Sequence, residues 1–169
     1  MIKKTVEDAI NKQITREFYS ANLYLSMAAY FNSLNLKGFA NWMRIQYQEE
    51  NAHGLKFFDY MISRGGVPQI GVIDQPPIKW NSPVAVFEDA LKHEQQVTQW
   101  INDLADLAVN EKDHATNIFI QWFITEQVEE EANTTEITDR LKLIGDSKGG
   151  LFMMDNELKA RVFVPPPAN

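Results

Sequence analysis

Glu50 and His53 stand three residues apart within Glu49-Glu50-Asn51-Ala52-His53, a stretch whose periodicity is helical. Residues at i and i+3 project from a helix side by side, so the carboxylate and the imidazole share the same surroundings. Those surroundings are oily at both ends: the face reads Phe39, Met43, Gln46, Glu50, His53, Phe57, Tyr60 in alternating steps of four and three. A lone carboxylate buried there costs on the order of several kcal/mol unless something compensates. An inward-facing E-x-x-H pair is what a carboxylate-bridged metal site uses.

Three more helical stripes carry the same anomaly. One reads Val6, Ile10, Gln13, Glu17, Ala21, Tyr24, Ala28, Phe31; another reads Phe87, Ala90, Glu94, Val97, Ile101, Leu104, Ala108. The last reads Thr116, Phe119, Phe123, Gln127, Glu130, Thr134, Ile137, Leu141, Ile144. Each has an acid near half-length. A metal-free polar network would have to neutralise Glu17, Glu50, Glu94 and Glu130 with His53 alone, because no Lys or Arg interrupts the stripes. The pattern predicts a dinuclear centre, with Glu50 bridging, Glu17 and His53 on one metal, and Glu94 and Glu130 on the other. Gln127 beside the second metal carries no charge, so that metal is held more loosely. Oxygen-rich ligation with an imidazole suits iron or manganese. Two neighbouring Fe(II) ions can each give one electron to one O2.

Several residues keep two readings. Glu49, Glu126 and Glu129 sit beside the core stripes, Glu49 and Glu126 about 100° around the helix from them. With Glu130 they make either a third, weaker metal site or a solvated charged face. Tyr24 lies about 20° short of two turns from Glu17 and is either core or a hydrogen-bonding or radical-quenching partner of the site. Trp42, Trp100 and Trp122 read as packing, with Trp122 near enough to donate an electron. His93 and His114 read as surface residues.

The elements that position these groups follow from the prolines. None occurs before Pro68; Pro68, Pro76, Pro77 and Pro83 cluster; the rest are Pro165, Pro166 and Pro167. Proline is poorly tolerated inside helices. The sequence therefore predicts long helices over about 5–32, 38–64, 83–109 and 114–144, with a short one over 150–160. Thr5 with Asp8 is the expected start signal of the first, Ser82-Pro83 of the third, and Gly145 the expected stop of the fourth. Short turns make antiparallel pairs. Residues 65–82 form one long crossover, which lets helices two and three run parallel. Its Val67, Ile70, Val72, Ile73, Ile78 and Trp80 are too apolar for a free loop and predict a strap along the bundle, open to cover by a second subunit. The tail after the fifth helix reads as polyproline-like.

The 169 residues suit one domain over 1–169. A net charge of −7 disfavours nucleic acid and suits cations. Without cysteine there is no disulfide or thiolate metal site. The acids near the N-terminus and the lack of a long apolar run predict no signal peptide and no membrane span, hence a cytoplasmic protein.

Together QEENAH at 48–53, Glu94, TEQVEEE at 125–131 and the terminal GGLFMMDNEL resemble the bacterial non-haem ferritins over nearly the whole chain. The resemblance implies an all-α, ferritin-like four-helix bundle with one long crossover and a fifth helix lining a four-fold axis. It implies a homo-oligomer of 24 subunits that oxidises Fe(II) with O2 or H2O2 and stores ferric mineral. It implies Glu17, Glu50 and His53 at the first iron and Glu50, Glu94 and Glu130 at the second. Gln127 would lie nearby, with Glu49, Glu126, Glu129 and Glu130 at a third. Bacterioferritin binds haem through a methionine after the bridging glutamate; Asn51 stands there, so no haem is expected. Asn117 and Ile120 replace the acids of animal three-fold pores. Two alternatives remain: a di-iron peroxidase or oxygenase acting on a small molecule, and a DNA-protecting mini-ferritin, which lacks a fifth helix.

Overall fold

The computed structural model describes residues 2–167. Among them it has no strand and five helices: α1 (Lys4–Ser33), α2 (Lys37–Ser63), α3 (Pro83–Asn110), α4 (His114–Ile144) and α5 (Lys148–Leu158). This is an all-α bundle of four long helices with a short fifth. α1 packs along α2 and α3 along α4, and the two pairs meet chiefly through α1 and α3.

Direction is fixed by ion pairs at the bundle ends. Lys3, before α1, reaches Glu111, after α3, at 3.1 Å. Arg64, after α2, grips Asp113, before α4, through Nη1 to Oδ1 at 3.0 Å and Nη2 to Oδ2 at 3.1 Å. So α1 opposes α3 and α2 opposes α4. With both hairpins antiparallel, α2 and α3 are parallel, as the long crossover requires. α2 and α4 stay apart at this end because rings fill the space: Phe57 stacks on Phe123 at 4.1 Å and Tyr60 on Phe119 at 3.8 Å.

The crossover climbs the outer side of α1. Val67 N donates to Glu7 Oε1 at 3.1 Å, Gln69 N to Asn11 Oδ1 at 2.8 Å, and Gly71 N to Thr15 Oγ1 at 2.8 Å. Glu7, Asn11 and Thr15 are spaced by four, one polar stripe that feeds hydrogen bonds to a chain segment with no partner strand. Further on, Trp80 packs edge-on against Tyr30 at 5.6 Å. Val67, Ile70, Val72 and Ile78 remain exposed.

Local signals explain most boundaries. Ser82 Oγ accepts from Ala85 N ahead of Pro83, and Asp113 accepts from Thr116 N. After α2, Gly65 adopts φ +71°, and its successor's N–H closes onto Met61 O at 3.0 Å. The expected Thr5 start is not used: α1 begins at Lys4, whose ammonium pairs with Asp8 at 2.8 Å, and Lys3 provides no side-chain cap. The short helix starts at Lys148 rather than 150, because Ser147 caps it through Gly150 N.

α5 docks by closing the open end of α2. Asp155 Oδ1 accepts from Gly38 N at 2.7 Å and Phe39 N at 3.2 Å. Gly38 is required there, since a Cβ would stand 1.6 Å from the Asp155 carbonyl oxygen. No helix among the described residues is long and apolar enough to cross a membrane.

Replacing Asp155 with Ala removes that cap, at a cost of about 1–2 kcal/mol. Hydrogen exchange should show 148–158 losing protection while the middles of α1–α4 keep theirs. Unchanged protection of α5 would refute this account of its docking.

Candidate metal centre

The predicted stripes become a polar belt between two apolar cores. Tyr24, Met27, Phe31, Phe39, Met43 and Phe87 lead one core, and Ile10, Ile14, Phe57, Ile101, Ile120 and Phe123 the other. Between them Glu17, Glu50, Glu94 and Glu130 are only 1–3% exposed. Phe119 and Ile144, expected on the inner stripe of α4, are half-buried instead, and Ile120 takes the deeper place.

One ligand atom each from Glu17, Glu50 and His53 lie within 4.8 Å of one another. His53 Nδ1 stands 3.8 Å from Glu50 Oε2, and its ring is fixed edge-on against Trp122 at 5.4 Å and Phe123 at 5.8 Å. Burial pushes the imidazole down to about 4, so it is neutral near pH 7 with a lone pair free for a cation.

Glu94 and Glu130 are not part of that tight group. Neutral donors hold them. Tyr24 Oη donates to Glu94 Oε1, Gln127 Nε2 to Glu94 Oε2 at 3.2 Å, and Gln46 Nε2 to Glu130 Oε2 at 2.8 Å. On the other side Gln13 Nε2 donates to Glu17 Oε1 at 2.5 Å. Tyr24 thus reaches the belt through Glu94, not through Glu17. Gln13 and Gln46 were legible on the stripes as positions but not as partners; spacing points Gln13 to Glu17 one helical step on, but gives no sign that Gln46 reaches Glu130 on another helix.

Burial raises all four carboxyls: Glu17 and Glu94 to about 7, Glu130 to about 8, and Glu50 well above its ordinary value. Glu50 is lifted further by Glu94, Glu17 and Glu130, which makes it the acid that feels all the others.

The outer acids divide. Glu49 is half-buried and pushed up to about 7, first by burial, with Glu130 and Glu126 adding and Arg161 opposing. Glu126 is half-buried and raised by burial and by Glu129. Glu129 is exposed. Arg161 had no role in the sequence reading, yet its Nη2 donates to Glu49 Oε2 at 2.6 Å. His93 corrects another expectation: half-buried, it pairs Nε2 with Ser20 Oγ at 2.7 Å, and burial lowers it to about 4.

Residues 7–144 match the Ferritin family, described as a ferritin-like domain. The chain is 44% identical over 161 residues to a bacterial non-heme ferritin of Bacteroides fragilis (strain 638R), a match spanning 95% of this chain and 100% of the relative. The chain belongs to the ferritin family. A bacterial non-heme ferritin of Staphylococcus saprophyticus is 42% identical over 163 residues, 96% of this chain and 98% of that one. Among solved ferritins, an engineered closed form of the Archaeoglobus fulgidus protein superposes with a TM-score of 0.96 at 48% identity, over 97% of this chain and 100% of that one. The open-pore ferritin of the same archaeon gives 0.94 at 48%, over 95% and 98%. Ferritin membership supports iron storage, and the Glu17–Glu50–His53 group is compatible with iron binding.

In the unfolded chain these carboxyls titrate near 4.5; in the fold they keep their protons to about 7–8. The stability they allow is complete below the unfolded value and is lost as pH rises through the folded ones. The cation-free protein should therefore lose Tm between about pH 5 and 8. Zn(II) should restore it while releasing protons, read by titration in weak buffer. A Tm that climbs over this window, with no protons released, would contradict the buried belt.

Proposed function

We propose that this ferritin stores iron by oxidising Fe(II) at a dinuclear centre within each subunit and passing the ferric product to a mineral core. The observation that carries this reading is the convergence of Glu17, Glu50 and His53 ligand atoms within 4.8 Å, in a belt where Glu94 and Glu130 are equally buried. In this reading Glu50 bridges two irons, Glu17 and His53 complete the first, and Glu94 and Glu130 hold the second. Gln127, already donating to Glu94, steadies it without adding charge.

Iron is the substrate. Each Fe(II) gives up one electron, so a pair reduces O2 to H2O2 with uptake of two protons, or H2O2 to water. The belt supplies what this needs: oxygen ligands that favour Fe(III) over Fe(II), a neutral imidazole, and apolar walls that exclude water. Tyr24, bonded to Glu94, is poised to donate an electron or to orient that ligand. Glu49, Glu126 and Glu129, with Glu130, offer a third, looser position beside the centre.

We further propose that 24 chains close into a shell in the cytoplasm. The exposed Val67, Ile70, Val72 and Ile78 of the crossover favour assembly, because they form an apolar strip that one chain leaves bare.

Stopped-flow oxidation tests the centre: Glu50→Ala with His53→Ala should slow the fast phase at least about a hundredfold, leaving only slow mineral-surface oxidation. An intact fast phase would overturn the assignment. For the shell, light scattering should find a particle of roughly half a megadalton, as expected for 24 copies of 19.4 kDa; a dimer would refute it.

A further inference from the structure

The tail beyond α5 does not leave the bundle; it runs along α2. Asn41 Nδ2 donates to Leu158 O at 3.2 Å and to Arg161 O at 3.0 Å. Fifteen residues up the helix, Lys56 Nζ donates to Pro167 O at 2.9 Å. Those anchors are about 22 Å apart on a helix, and the residues between Arg161 and Pro167 span about 20 Å when extended. The tail is therefore a strap held near both ends, stiffened by Pro165, Pro166 and Pro167.

One charged side chain turns inward from this strap. The Arg161 guanidinium lies over the Trp42 ring, 4.5 Å from its centroid, and Nη2 binds Glu49 Oε2 at 2.6 Å. Both side chains are largely covered, at 22% and 15% exposure. Nη1 is buried without any hydrogen-bond partner. The guanidinium thus meets one acid and one ring, and brings a full positive charge to the edge of the belt. Its position suits its charge: Nη2 lies against Glu49, the residue next to Glu50 of the belt. Glu49 is an outer acid and its neighbour Glu50 belongs to the buried belt, so Arg161 stands at the step between the two.

We propose that Arg161 is a tethered cation holding the place of a third metal ion between Glu49 and Glu130, so that metal occupies this place only when the tail lifts. The inference rests on the dinuclear reading above. Arg161 carries one positive charge and an iron ion two or three, so metal arriving from the centre outcompetes the guanidinium for the same carboxylates. The strap returns when the ion moves on. The tail thereby biases iron toward departure instead of accumulation beside the centre.

Zn(II) binding to the assembled protein, followed by calorimetry and equilibrium dialysis, tests this without oxidation chemistry. Wild type should take two ions per chain tightly and a third weakly. Arg161→Gln should bind the third about tenfold more tightly or better, since a competing like charge is gone. Arg161→Lys, which keeps the charge, should resemble wild type. Limited proteolysis of wild type should cleave within 161–164 more readily only as the third ion binds. If Arg161→Gln leaves the third affinity unchanged while two ions still bind tightly, this inference falls alone. If Lys behaves as Gln does, charge is not the cause and it also falls. If wild type fails to bind the first two ions, the dinuclear reading falls and carries this one with it.

Discussion

Four carboxyl groups on four helices share one dry belt, and the fold must keep them there without letting them all ionise. Two like charges 4 Å apart repel by about 4 kcal/mol even at an effective dielectric of 20. A domain's whole stability is about 5–15 kcal/mol, so four bare anions in mutual reach would exhaust it. Protons can relieve the repulsion, but the groups release them at about 7–8, within the working range. Cations relieve it better, because one divalent ion answers two carboxylates at once. The acids are thus tolerable in isolation and satisfied only when loaded.

The architecture follows from holding that belt open. α1 and α3 are the pair through which the two hairpins touch, and each contributes a single acid. α2 and α4 supply two groups each, Glu50 with His53 and Gln127 with Glu130. They are spaced on one side of the belt by the Phe57–Phe123 and Tyr60–Phe119 stacks. Had those positions been Ala or Val, the helices could close and the belt would lose its room. The crossover decides which helices face each other: it returns the chain to the end where α2 began, so that α3 lies antiparallel along α1 and α4 opposes α2.

Much of this was legible because the signal was periodic. Glu17, Glu50, Glu94 and Glu130 each sit mid-stripe at helical spacing, and burial simply follows the stripe. The proline pattern located the crossover for an equally local reason. What stayed hidden depended on contacts distant in sequence. Arg161 meets Glu49 across 112 positions and His93 meets Ser20 across 73, pairings that no periodicity encodes. The Thr5 signal misled because a Lys4–Asp8 pair competes for the same acid. Phe119 is only half-buried because its ring stacks on Tyr60, while Ile120 beside it is fully buried.

The choice of partners separates the belt from its rim. Inside, amides and a phenol donate to Glu17, Glu94 and Glu130: Gln13, Gln127, Gln46 and Tyr24. A neutral donor orients a carboxylate and leaves its charge available; a Lys or Arg would neutralise it and displace the metal. Glu50 accepts from none of these four, and its neighbours are Glu17 and His53, which suits the bridging role proposed for it. At the rim the rule reverses, and Glu49 is matched with a guanidinium. Neutral partners inside and a cationic one outside make a gradient: a cation meets no competitor at the centre and meets one at the next step. Under the proposed function, such a gradient would separate where iron is gathered from where it is released, using one substitution of partner chemistry and no moving domain.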